Sequence, residues 1–166
     1  MDQSAAPPAL VAAAMKKVGL VWLAPVGGSA VAAWLLWRDG SAYVVGGPGE
    51  QPLTGIAVGR PALVTVASKE HRNRLVTWVA DVDQLRPSSR EWERVVPQLL
   101  AKRLSAASDA AGRWATSGWV LRLTPTGEIA EAGDSLPATT LAAPPVPTPA
   151  TTPYRMPGRL GRRRRR

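Results

Sequence analysis

The stretch Ala30–Gly47, AVAAWLLWRDGSAYVVGG, decides the fold. Asp39-Gly40 stands between two short runs rich in Val, Trp, Leu and Tyr. A two-residue type I′ hairpin needs positive φ at both central positions, and Asp-Gly supplies them at low steric cost. The flanking runs are short and bounded by turn residues, as buried strands are. The chain is therefore read as strands joined by tight turns, beginning here.

Upstream, Val18–Trp37 carries no charge over twenty residues. That length could cross a bilayer, and Lys16-Lys17 before it allows a membrane or exported-protein reading. Its middle, Pro25-Val-Gly-Gly-Ser29, is turn chemistry, so two strands, VGLVWLA and AVAAWLLW, fit it better than one helix. Ala9–Lys17 (ALVAAAMKK) suits a short helix, preceded by a frayed leader.

Downstream, Gly46-Gly-Pro-Gly49 breaks the chain, and Pro61–Ser68 (PALVTVAS) alternates as a strand does. In Arg74–Arg86 (RLVTWVADVDQLR), Val76, Trp78, Ala80 and Val82 share one face, with Leu75, Thr77, Val79 and Asp81 on the other. Ser88 with Glu91 three residues later has capping-box spacing. The stripe Trp92, Val95, Val96, Leu99, Leu100 and Leu104 marks an amphipathic helix, which Pro97 bends or loosens. Gly118–Thr124 (GWVLRLT) reads as a last strand stopped by Pro125. Six strands in mostly hairpin order with a helix before the last one predict a small closed barrel of mainly β, α+β class.

After Pro125 the character changes. Pro137–Pro157 holds seven of the sixteen prolines, mixed with Thr and Ala, a coreless linker composition. All seven Arg beyond Pro125 fall in the last twelve positions, and Arg162, Arg163, Arg164, Arg165 and Arg166 are consecutive. Like charges so close demand water and attract polyanions through counterion release. The chain divides into a leader and short helix (1–17), a barrel domain (18–125), a disordered Pro/Thr/Ala linker (126–157) and an Arg-rich tip (158–166). With a formal charge of +9, nucleic acid or another polyanion is a candidate partner of the tip.

Cysteine is absent and His71 is the single histidine. Thiolate metal sites, iron–sulfur clusters, disulfides and thiol nucleophiles are excluded, and no metal is expected. Gly46, Gly47 and Gly49 could cradle a phosphate with backbone N–H groups, but they fit no phosphate-loop pattern. Trp34 and Trp37 lie three apart on a strand and so face opposite sides, one toward the core and one toward a dimer contact.

In AWLLWRDGSAYVVGG, RPALVTVAS, RLVTWVADVDQL, SREWERVVPQLLAKRL and VLRLTP, the chain resembles the pyridoxamine 5′-phosphate oxidase-like, FMN-binding split β-barrel superfamily. The likeness spans about Val18–Pro125 and rests on element order and texture. It implies a six-stranded split barrel, a cytoplasmic homodimer, and FMN or a deazaflavin in a groove between subunits, with oxidoreductase chemistry supplied by the flavin. It also implies basic residues after the hairpin that reach the phosphate, where this chain has Glu50 and Gln51. Ser68, Lys69, Arg74 and Thr77 remain as donors for an anion, and Trp78 as a ring for stacking. The alternative is a non-catalytic barrel without the cofactor, its Arg-rich tail bound to nucleic acid or another polyanion.

Overall fold

The computed structural model describes residues 8–67, 74–103 and 109–132. Helix α1 (Ala9–Met15) leads into β1 (Leu20–Pro25), β2 (Val31–Trp34), β3 (Leu36–Arg38), β4 (Ser41–Gly46), β5 (Ala62–Ala67) and β6 (Arg74–Gln84). Helices α2 (Arg90–Lys102) and α3 (Ala110–Thr116) follow, then β7 (Trp119–Ala132). The strands form one antiparallel sheet in the order β2-β1-β5-β6-β7-β4-β3. Its two edges, β2 and β3, are consecutive in the chain with only Leu35 between them. One run of chain thus pairs with β1, changes partner at Leu35 and pairs with β4. The expected barrel is present, and its second strand is two ladder segments, which makes seven where six were expected.

The Asp39-Gly40 turn closes β3 onto β4 with Arg38 opposite Ser41, and both turn residues have positive φ (50° and 77°). Val18–Trp37 is mostly strand, so the membrane-spanning reading is corrected: the Pro25–Ser29 turn splits it into two segments that pair with each other. Among the described residues no helix is long and apolar enough to cross a membrane.

Two cores sit on opposite faces of the curled sheet. The inner one holds Val21, Leu23, Val44, Val64, Val76, Trp78, Val82, Leu121 and Leu123, and α1 adds Val11 and Met15. The outer one packs Trp92, Val95, Val96 and Leu99 of α2 and Trp114 of α3 on Leu36, Tyr43, Val45 and Val120. Strand β4 is buried along its whole length because it lies between the two. Trp37 belongs to the inner core and Trp34 packs toward the outer one, as their spacing requires.

Three local expectations change. The helix cap is Ser89, whose hydroxyl accepts from the Trp92 N–H at 3.1 Å, while Ser88 takes φ 63° in the turn before it. Pro97 lies inside α2 without ending it. Strand β7 runs through Pro125 to Ala132 because β4 leaves it at Leu123; beyond that point β6 is its one remaining partner among the described residues, and an edge tolerates a missing N–H.

Candidate functional site

Helices α2 and α3 cover only the β3, β4 and β7 part of the outer face. Over β1, β5 and β6 that face is bare of helix among the described residues. Alternation along β1 sends Val21 and Leu23 inward and leaves Leu20 and Trp22 outward, 53% and 40% exposed. On β6 the same alternation buries Val76, Trp78, Ala80 and Val82, as the sequence predicts, and leaves Leu75 47% exposed.

Across this face one row of the sheet reads Trp22, Thr65, Thr77, Glu131. The Thr65 and Thr77 hydroxyls are 2.9 Å apart and buried. Thr77 donates to the Glu131 carboxylate at 3.3 Å, and the Arg74 guanidinium reaches the same oxygen at 3.4 Å. A register irregularity between Val66 and Ala67 sits beside Arg74 and Leu75. Such an irregularity re-aims side chains, here at the start of β6. The result is a strip of exposed aromatic and aliphatic surface with an Arg–Glu pair at one end.

Of the residues singled out for a flavin-type ligand, Arg74 and Thr77 meet on this outer row. Trp78 does not join them. It is fully buried in the inner core, edge-on to Trp37 with ring centroids 6.3 Å apart, and its indole N–H has no hydrogen-bond partner among the described residues. Ser68, Lys69 and His71 lie outside the described residues, as do Arg162–Arg166 and most of the linker. Sequence reasoning missed Trp22 and Glu131. The alternation VGLVWLA held the signal for Trp22, and Glu131 lay beyond the strand end assigned at Pro125.

Glu50 and Gln51, standing where the resemblance implies basic residues, have internal partners. The Glu50 side chain is buried and accepts from Arg103 Nε at 3.1 Å and Trp114 Nε1 at 2.9 Å. Gln51 accepts from the Trp34 N–H and donates to the Trp34 and Val45 carbonyls at 3.2 and 3.1 Å. The glycines also act in packing: a Cβ on Gly47, at φ 121°, would stand 2.6 Å from the Gly118 Cα.

A cleft of about 250 Å³ opens where β6 meets the start of α2. Arg122 spans it between Asp83, at 3.1 Å, and Glu91, at 3.3 Å, while the Tyr43 hydroxyl donates to Glu91 at 2.7 Å. Burial, then the hydrogen bond to Glu91, pushes the Tyr43 phenol above its ordinary range, so it stays neutral. Burial works against the Arg122 charge, yet Asp83 and Glu91 outweigh it and raise its pKa. These contacts tie α2 to the sheet, while the buried Nε of Arg122 has no hydrogen-bond partner among the described residues. Among the described residues no group of His, Asp or Glu is arranged to hold a metal ion.

No protein-family model matches the chain, and no curated protein matches it. Among solved structures the chain is similar to HutZ, the heme storage protein from Vibrio cholerae, with a TM-score of 0.53 and 13% sequence identity over 72% of this chain and 89% of that chain. The likeness is one of fold, and it agrees with the split-barrel architecture built above.

Proposed function

We propose that this chain is a ligand-binding split barrel that pairs with a second copy over the bare outer face of β1, β5 and β6 and holds there a flat aromatic cofactor of flavin type, FMN or a deazaflavin. The observation that carries the reading is the exposed strip of Leu20, Trp22 and Leu75 beside Arg74. A ring system gains by leaving water against such a surface, and offset stacking on an indole adds to this. A phosphate needs charge-assisted donors, which Arg74 supplies by exchanging its Glu131 partner. The residues thus fit both halves of the ligand; when bound, the flavin would supply the redox chemistry that the side chains lack. The fold neighbour is a heme storage protein, which makes heme the comparison ligand.

The test is titration of the full chain with FMN, riboflavin, reduced deazaflavin and heme, followed by visible absorbance and tryptophan emission. Flavin binding that falls at least tenfold in Trp22→Ala, and an FMN preference over riboflavin that disappears in Arg74→Gln, support the reading. Binding of heme alone, or of nothing, overturns it.

A second reading is favoured by the five consecutive Arg at 162–166: a barrel tethered to nucleic acid through its tail, with no cofactor. Counterion release makes such binding fall steeply with salt. Full-length protein should leave a DNA column at markedly higher salt than a variant with all five changed to Gln. Elution at the same salt removes this reading.

A further inference from the structure

Where β2 hands over to β3, the barrel has a seam. Leu35 turns its N–H back to Gly19 at 3.2 Å, and the Trp34 backbone faces away from β1. Its N–H and C=O both go to the carboxamide of Gln51, which also reaches the Val45 carbonyl on β4. Gln51 thus stands in for a strand partner on both sides of the seam. The preceding residue is committed elsewhere. The Glu50 side chain is 3% exposed and is held by Arg103, just past α2, and by Trp114 of α3. Arg103 also donates to the Gly49 carbonyl at 3.4 Å. Leu53, a little further on, is buried in the inner core.

We propose that the segment Gly47–Gly59 is a latch that couples the helical layer to the seam, with Glu50 gripped by the helices and Gln51 thereby kept seated between Trp34 and Val45. The argument is geometric and electrostatic, and it is independent of any ligand. Glu50 closes the Gly47–Glu50 turn, its N–H on the Gly47 carbonyl at 3.0 Å, and its side chain runs to the helices while that of Gln51 runs to Trp34 and Val45, so one short stretch is keyed into both layers. A buried carboxylate stays buried only while its cation and donors stay. If α2 and α3 shift and Arg103 withdraws, Glu50 must move to water. Gln51, one peptide away and bridged by its own backbone to Gly46, then loses the support that holds its three-way geometry. The seam opens as a local unit while the centre of the sheet holds. Trp37, on the seam strand β3 and against Trp78, is the part of the inner core that such opening uncovers first.

The test is amide hydrogen exchange on the full chain, read at Trp34 and Leu35 and, as an internal control, at Val64 and Val79 in the centre of β5 and β6. Gln51→Ala removes the clamp directly. Arg103→Met touches only the helical end, and Glu50→Gln keeps the shape while removing the charge. The expected result is exchange at Trp34 and Leu35 at least tenfold faster in Gln51→Ala and Arg103→Met, a smaller rise in Glu50→Gln, no further rise in the Arg103→Met/Gln51→Ala double variant, and unchanged rates at Val64 and Val79. Seam rates that stay at the wild-type value in both Arg103→Met and Glu50→Gln overturn the proposal. So does acceleration at Val64 and Val79 equal to that at the seam. Should Arg103→Met not fold, Glu50→Gln against Gln51→Ala decides the matter alone.

Discussion

Thr77 shows how a single side chain is placed by two constraints at once. Alternation on β6 puts it on the face opposite Trp78, where a polar residue would ordinarily meet water. It is instead 1% exposed, because Thr65, Arg74 and Glu131 close around it. Its hydroxyl is then part of a satisfied set, and cutting one member strands another. Thr77→Val should cost roughly 1–3 kcal/mol by leaving Thr65 buried without its partner, whereas Thr65→Val/Thr77→Val together should cost less than Thr77→Val alone. Urea denaturation of the three variants checks this, and a double variant weaker than either single one contradicts it. The sequence could show the alternation, and with it the inward row Val76, Trp78, Ala80 and Val82. It could not show that the outward threonine would be buried, since that depends on Glu131, more than fifty residues away. Glu50 repeats the lesson: its spacing from the hairpin reads as a misplaced charge at a phosphate, and only the fold brings Arg103 and Trp114 to it.

The elements were legible where local chemistry decides them. The Asp39-Gly40 hairpin, the β5 and β6 strands and the apolar stripe of α2 all follow from turn propensity and periodicity. Boundaries moved where a long-range neighbour decides. Strand β7 outlasts Pro125 because β4 has already left its side, a fact of topology. The α2 cap moved by one residue, from Ser88 to Ser89, because both hydroxyls precede the same stripe and only backbone geometry separates them. Ser89→Ala should therefore lower stability by about 1 kcal/mol through the lost cap. Ser88→Gly should be neutral or raise stability, since glycine occupies positive φ without steric cost. Thermal unfolding of the two variants gives opposite or unequal shifts on this account, and equal losses would return the cap to Ser88.

For the whole molecule, the sheet with its two unlike outer surfaces is the organising fact. One part of the outer face is sealed by α2 and α3. The other leaves Leu20, Trp22 and Leu75 in water, the surface over which the proposed pairing of copies would form. Leu75→Lys, placed in the middle of a copy-to-copy contact, should shift the full chain toward monomer in sedimentation velocity at micromolar concentration. A wild-type chain that is already monomeric there removes the pairing. The global fold was readable in outline from strand order alone. The bare face was not, because its exposure depends on which strands the helices cover.

The most direct measurement is the visible spectrum and tryptophan emission of purified full-length protein after addition of one equivalent of FMN and removal of free ligand. The account predicts a retained flavin chromophore with quenched emission, both lost in Trp22→Ala. A colourless protein with unchanged emission, or quenching that persists in Trp22→Ala, would contradict it.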